Sequence, residues 1–177
     1  MKIRQNGTSQ NDPSASTTRG RSSPAFLLAQ IGAHAASRFR ERLAPLKLAP
    51  QHAGILRIID ASPGITQQAL ANALGMLPSR LVALLDELES RGLIERRENR
   101  NDRRMYALHL TEQGRMTLRK IGSVSREHQE NLLAALDERE RRQLANLLQR
   151  VADQQGLTRG VHPGYARLGE SKRGQKE

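Results

Sequence analysis

Arginine side chains are concentrated in one short stretch of the chain. The segment 95–104 carries five arginines against three acidic residues. Guanidinium groups bind phosphate and are attracted into the narrow minor groove of A·T-rich DNA, so a flexible basic loop suits duplex DNA. The arginines are Arg96, Arg97, Arg100, Arg103 and Arg104. An isolated charge run is usually a solvated face. The position of this segment among the predicted helices therefore decides between a solvated face and a DNA-binding loop.

A second segment with functional potential is 67–86, which reads QQALANALGMLPSRLVALLD. Ala71 is small where two helices would cross closely, and Gly75 tolerates the positive φ of a sharp turn. The apolar residues that would tie both helices to a core are Leu70, Leu74, Met76, Leu81 and Leu84. The pattern predicts a helix-turn-helix, and an ordinary helical hairpin with a glycine in its turn is the alternative.

The second helix of such a unit enters the major groove, where its first residues contact base edges. Arg80 can pair with O6 and N7 of guanine, and Ser79 can bond a base or a phosphate. A solvated surface arginine is the alternative for Arg80. The candidate DNA contacts of the unit are Thr66, Gln68, Leu77, Pro78, Ser79, Arg80 and Ala83.

Periodicity, caps and breakers predict the elements that position these residues. We expect helices from Pro24 to about Leu43, from about Gln51 to Asp60, from Thr66 to Leu74 and from Pro78 to about Arg91, a fifth after Thr111, and a sixth opened by the capping box Asp137–Glu140. Short strands at 93–97 and 106–110 form a hairpin directly after the fourth helix. The predicted fold class is mainly α, an α+β winged helix of six helices with a small β-hairpin wing.

Composition narrows the classes of function. The net charge of +11 favours a polyanionic partner, and an aromatic content of 2% disfavours base stacking on single strands, so duplex DNA is the expected ligand. The chain has no cysteine, which excludes disulfides, thiolate metal sites and cysteine redox sensing. The histidines lack metal-ligand spacing, and no nucleophile–base signature or phosphate loop occurs, so we expect no enzyme, cofactor or metal. Without a secretory signal or an apolar run of about 20 residues, a cytoplasmic protein with no membrane partner is expected.

The order LESRGLIERRENRNDRRMYALHLTEQG resembles the wing signature of MarR-type regulators. The matching elements are Leu88-Glu89, Gly92-Leu93, Asp102 with Arg104, and Leu110-Thr111 with Gly114. By this resemblance Arg104 is the wing arginine, Asp102 is its ordering partner, and Arg100 and Arg103 lie near the tip. All four are therefore candidate DNA contacts.

The resemblance covers about residues 23–155 and implies an intertwined homodimer. Dimerisation helices at 24–44 and 112–155 would flank a DNA-binding part at 51–110, while residues 1–22 and 156–177 are predicted to be a disordered and a flexible basic tail. The side chains expected to pack between the copies are Leu144, Leu147, Leu148 and Val151 against the partner's Phe26, Leu27 and Ile31. The alternative is that these apolar stripes complete the monomer core.

The predicted function is a sequence-specific transcriptional regulator of double-stranded DNA, a repressor that a small effector releases from a palindromic operator. The resemblance implies a small, often phenolic, anionic effector, and the cation-capable residues near the expected site are His34, Arg38 and His52. A surface or packing role is the alternative for each. The alternative function is a non-specific structural nucleic-acid-binding protein whose charge and tails do the binding. Membrane-surface binding has weaker support, because neither tail carries an amphipathic helix.

Overall fold

A computed structural model describes residues 23–98 and 106–167, and its elements follow the predicted order. The helices are α1 Pro24–Leu43, α2 Pro50–Ala61, α3 Gln67–Leu74, α4 Pro78–Ser90, α5 Glu112–Leu132, α6 Glu138–Gln154 and the short α7 Gly164–Arg167. The strands are β1 Ile65–Thr66, β2 Ile94–Glu98 and β3 Tyr106–Leu110. The predicted six helices and the hairpin after α4 are therefore confirmed.

The sheet has three antiparallel strands in the order β1-β3-β2. In the hairpin, Ile94 lies opposite Leu110 and Arg97 lies opposite Ala107. The edge strand β1, where Ile65 pairs with Leu108, was not predicted. Two residues are too few to show the alternation that identifies a strand, so only its pairing with β3 reveals it.

One aliphatic core holds the helix-turn-helix and the hairpin together. Its fully buried side chains come from α2, α3, α4 and the sheet, and include Ile55, Leu56, Ile59, Leu70, Leu74, Leu81, Leu85, Leu88, Ile94 and Leu108. Leu84, which was expected to face the body, is only partly buried and packs against the edge of this core. Because apolar burial is the main source of stability, this core fixes α3 and α4 on the body.

The chain divides by contacts into two units, residues 1–36 and 37–177. In the described part of the first unit, Ser23 precedes α1, and its Oγ accepts a hydrogen bond from the amide of Phe26 at 3.2 Å. Phe26, Leu27 and Ile31 are exposed there. Among the described residues no single helix is long and apolar enough to cross a bilayer, and only the bent pair α3–α4 meets that test by length and composition.

The second unit continues beyond the helix predicted to be last. The predicted capping box is confirmed: the Asp137 carboxylate accepts from the Glu140 amide at 2.8 Å, and the Glu140 carboxylate accepts from the Asp137 amide at 2.9 Å. Residues 156–167, which fall within the predicted flexible basic tail, place Tyr165 against α2. A single aromatic anchor in a Gly-rich basic segment has no periodicity that the sequence could show. Residues 1–22 and 168–177, where the remaining predicted tails fall, lie outside the described residues.

Candidate nucleic-acid interface

The first helix of the helix-turn-helix begins with a side-chain cap. Thr66 Oγ1 accepts a hydrogen bond from the Ala69 amide at 3.2 Å, which satisfies one of the amides that a helix start leaves unpaired. One turn on, Gln68 is exposed and its Nε2 donates to Asn72 Oδ1 at 3.1 Å. Thr66 therefore has a structural task, whereas Gln68 presents its side chain on the outer face of α3.

The turn between the helices is made by Gly75, whose φ is +59°. Its amide donates to the Asn72 carbonyl at 3.1 Å, and the Met76 amide donates to the Ala71 carbonyl at 2.9 Å. Glycine adopts this left-handed conformation more easily than residues with a Cβ. The chain direction bends by 112° between α3 and α4, and Ala71 is buried at their crossing. This is the geometry of a helix-turn-helix.

The first turn of α4 is open to solvent. Leu77 precedes it with 68% of its surface exposed, and no side chain caps the helix. Pro78 has no amide hydrogen, so Ser79 carries the first free N–H, and the positive end of the helix dipole lies there. Ser79 and Ala83 are exposed, Arg80 is partly exposed, and Arg80 forms no ion pair with the described residues. This end of α4 can receive an anion and a base edge together.

The other end of α4 is bound to the wing through Arg96 on β2. Its guanidinium donates to Asp86 at 2.6 Å and to Glu89, and its amide donates to Glu89 at 3.2 Å. The side chain is only 18% exposed. Burial alone would lower the pKa of Arg96, but the hydrogen bonds and charges of Asp86 and Glu89 outweigh it and raise this pKa.

Arg96 therefore fastens the wing to α4, and its charge is already paired with Asp86 and Glu89. Arg97 is 60% exposed and pairs with Glu95 on its own strand. The predicted wing contacts Arg100, Asp102, Arg103 and Arg104 lie outside the described residues. The sequence did contain a signal for the role of Arg96, since Asp86 and Glu89 lie three residues apart on one face of α4.

The remaining wing-signature residues meet at one junction. The Thr111 hydroxyl donates to the Gly92 carbonyl at 2.6 Å and accepts from the Gly114 amide at 3.0 Å, so it caps α5 and closes the end of α4. A Cβ on Gly114 would lie 2.0 Å from the Leu93 carbonyl oxygen. The backbone of α5 therefore approaches the start of β2 as closely as only a glycine permits.

The candidate effector residues His34, Arg38 and His52 differ in exposure and in local partners. His34 is exposed in the first unit. In the second unit, Arg38 is exposed and pairs with Glu41 at 3.0 Å. His52 is buried, and its Nδ1 accepts from the Ala49 amide at 3.1 Å. These positions favour the alternative interpretation of His52, a packing role.

The electrostatics of His52 agree with that role. Its Nε2 lies 3.3 Å from a carboxylate oxygen of Glu87, which itself pairs with Arg91. Burial lowers the pKa of His52, and the attraction of Glu87 offsets this only in part. Arg91 is held in turn by the carbonyls of Lys47 at 2.6 Å and Leu46 at 3.0 Å. The sequence did not suggest that His52, Glu87 and Arg91 hold α2, α4 and the α1–α2 connection together.

Two cavities of the second unit are lined by neither Arg38 nor His52. One, of about 260 Å³, is lined by Asp60, Arg115, Leu118 and Arg119. The other, of about 320 Å³, lies between the residues of the turn after α3 and residues 156–163. Among the described residues no three histidine or acidic side chains are placed to hold a metal ion.

Comparison with known proteins identifies the family and supports the fold. The sequence profile of the MarR family matches residues 46–105. The transcriptional regulator BilQ of Clostridium symbiosum is 35% identical over 104 residues, which cover 59% of this chain and 69% of BilQ. The chain belongs to the MarR family. The chain spans 49–69% of the length of the curated MarR-family relatives that it matches.

Solved MarR-family structures extend the match across the helices. The repressor CouR, bound to a 23-mer DNA duplex, is 33% identical with a TM-score of 0.66, covering 73% of this chain and 92% of CouR. A mutant MarR of Escherichia coli complexed with operator DNA is 26% identical with a TM-score of 0.63, covering 72% of this chain and 91% of that one. Because its relatives are named as transcriptional regulators and repressors, this MarR-family chain is not an enzyme.

Proposed function

We propose that the protein is a homodimeric transcriptional repressor that binds a palindromic operator and leaves it when a small effector binds. The observation that carries the proposal is the uncapped, exposed first turn of α4 in the helix-turn-helix. Two solved neighbours, CouR and a mutant Escherichia coli MarR, are bound to DNA in their structures, which supports the DNA partner. CouR and the relative MprA are both named transcriptional repressors, which supports the sign of regulation.

In this proposal the first turn of α4 reads the operator. Arg80 pairs with a guanine in the major groove, while the free amide of Ser79 and its hydroxyl bind a backbone phosphate. Leu77 and Ala83 offer apolar contact to thymine methyl groups. Thr66, Gln68 and Pro78 border the same face. The wing residues Arg100, Asp102, Arg103 and Arg104 would add a minor-groove contact.

The dimer would bury apolar side chains that this chain leaves in solvent. On α6, Leu147, Leu148 and Val151 are 39–48% exposed, and α6 buries no residue against the described chain. In the first unit, Phe26, Leu27 and Ile31 are 40–56% exposed. Apolar side chains exposed together on one face of a helix mark an interaction surface, and a second copy supplies complementary faces of the same composition. Two-fold pairing also presents two recognition helices to a palindrome.

Release by an effector would act through exposed cationic groups. An anion of the phenolic class would compete with Glu41 for Arg38, and His34 is available to the same chemistry. His52 is the weakest of the proposed contacts, because it is buried and its pKa is lowered, so it offers little positive charge.

Footprinting with the full chain tests this function. We expect protection of one palindrome upstream of a gene, and retained preference for that palindrome after removal of residues 1–22 and 168–177. The alternative, a structural nucleic-acid-binding protein, expects loss of nearly all affinity on that truncation, together with a much smaller salt dependence. Equal affinity of the full chain for all duplexes at moderate salt would refute the repressor. Adding 4-hydroxybenzoate or another simple phenolic acid should shift the binding curve if release is correct.

A further inference from the structure

Residues 156–167, here called the C-terminal strap, connect the end of α6 to α2. Between its ends α6 buries no residue against the described chain. At its start, the Arg141 guanidinium donates to the Leu133 carbonyl at 3.2 Å, so the α5–α6 turn is held there. The strap is thus a second point at which α6 is joined to the body of its own chain.

The strap leaves α6 in a defined direction. Gly156 has a φ of +67°, its amide donates to the Asp153 carbonyl at 3.1 Å, and the Leu157 amide donates to the Ala152 carbonyl at 3.0 Å. The guanidinium of Arg159 holds the Asp153 carboxylate through two hydrogen bonds, of 2.7 and 3.2 Å. These bonds close the helix end, so the strap does not emerge as a free chain.

The far end of the strap docks on one stripe of α2. The Tyr165 hydroxyl donates to the Pro50 carbonyl at 3.2 Å, and the Arg57 guanidinium donates to the Gly160 carbonyl. Between them, the Tyr165 ring occupies the place of a side chain at Gly54, since a Cβ there would lie 3.0 Å from the ring. Positions 50, 54 and 57 share one face of a helix. Burial raises the pKa of Tyr165, which keeps its hydroxyl protonated as a donor.

The stripe belongs to the body that carries the DNA-reading helices. His52 on α2 faces Glu87 on α4 at 3.3 Å, and the buried side chains of α2, α3 and α4 share one core. Residues 156–163 of the strap also border the cavity at the turn after α3, with Asn72 and Gly75 on the opposite wall. A displacement of the strap is therefore transmitted to the helix-turn-helix through packed elements.

We propose that the C-terminal strap is a second tether between α6 and the helix-turn-helix, and that it determines which spacing of operator half-sites the dimer accepts. The proposal rests on the proposed function, since it needs α6 in a dimer interface and two recognition helices on one palindrome. An α6 joined to the body of its chain through α5 alone can turn about that connection, whereas an α6 joined at two points cannot. One added base pair moves a half-site by about 3.4 Å and rotates it by about 35°. A doubly tethered dimer cannot follow that change.

The experiment compares affinities for the footprinted palindrome and for the same palindrome with one base pair added or removed at its dyad. The wild type should lose about tenfold or more on each altered duplex, because the DNA must be distorted to restore the spacing. Tyr165→Ala, and removal of residues 157–177, should reduce that discrimination to less than about threefold. Tyr165→Phe, which keeps the ring over Gly54, and removal of 168–177 are the matched controls and should discriminate like the wild type.

Arg57→Ala provides the second variant, because it removes the bond to Gly160 from an exposed position and leaves the core intact. If circular dichroism shows that Tyr165→Ala does not fold, Arg57→Ala still tests whether the strap determines the accepted spacing. The tether proposal is refuted if Arg57→Ala and every folded strap variant discriminate between the operator spacings as the wild type does. It is also refuted if these variants lose the same affinity for every spacing. A wild type that binds no palindrome refutes the proposed function instead, so the two failures are distinguishable.

Discussion

Replacing Arg96 with methionine removes the charge that joins β2 to α4 while keeping an apolar stem of similar length. In the folded protein this guanidinium donates to Asp86 at 2.6 Å and to Glu89. After the substitution, both carboxylates lose their partner, and the last two turns of α4 lose their link to the wing. The change therefore separates two roles for a wing arginine, fastening the fold and binding a phosphate.

The expected magnitude follows from the exposure of the three side chains. Hydrogen bonds to charged groups contribute roughly 1.5–3 kcal/mol each, whereas exposed ion pairs contribute at most about 1 kcal/mol. Arg96 is 18% exposed, but Glu89 is 38% and Asp86 is 59% exposed, so solvent screens part of the interaction. We expect Arg96→Met to lower the free energy of unfolding by about 1–3 kcal/mol in total. Arg97→Met is the matched control, because Arg97 is 60% exposed, and it should change that free energy by less than about 0.5 kcal/mol.

Two assays on the same variants complete the test. Urea unfolding gives the loss of stability, and operator binding at several salt concentrations gives the slope of log K against log salt. A fastening role predicts an unchanged slope for Arg96→Met, because no phosphate contact is lost. A slope smaller by about one, together with an unchanged urea midpoint, would show that Arg96 binds DNA and that the assignment is wrong.

Three further substitutions test the junction, the buried histidine and the recognition helix. Gly114→Ala should destabilise by about 1–3 kcal/mol in urea, because its Cβ would lie 2.0 Å from the Leu93 carbonyl; equal or higher stability would contradict the close approach. His52 has a lowered pKa because burial outweighs Glu87, so the unfolded chain takes up the proton first, and stability should fall as the pH drops below about 6.5. His52→Asn, urea-unfolded at pH 7.5 and 5.5, should show a smaller decline, and an equal decline counts against this cause. Arg80→Ala should cost about 1–3 kcal/mol of operator affinity and relax preference at one base position, whereas a uniform loss on every duplex indicates a phosphate contact.

The helix boundaries could be predicted because their signals are local. Thr66, Thr111 and Asp137 each cap a helix in the structure through bonds to an amide three residues on. A hydroxyl or carboxylate before an apolar period has few other uses, so the sequence alone identifies these starts. The two-residue β1 and the strap lack such signals. Both depend on partners more than 40 residues away, Leu108 for Ile65 and Pro50 for Tyr165.

The candidate site was predicted in type but not in detail. Composition indicated a basic wing, yet it could not show that Arg96 is already paired, because Asp86 and Glu89 reach it only once the hairpin folds back on α4. In the same way, His52 resembled an available cation in the sequence and proved to be buried beside Glu87. The number of charged residues in a segment indicates that the segment lies at the surface. The ion pairs and hydrogen bonds in the folded chain determine which of these residues remain free for a ligand.

The bonds on α4 are distributed unequally along its length, and this asymmetry has a functional consequence. Its C-terminal half is held by Arg96 through Asp86 and Glu89, and its end by the bond from Thr111 to the Gly92 carbonyl. Its first turn has no side-chain cap. Substitutions at the bound end should therefore act on stability and wing placement, while those at the open end act on DNA recognition with little cost in folding. A helix clamped at one end in this way presents its other end to DNA in a reproducible orientation, which base-specific contacts require.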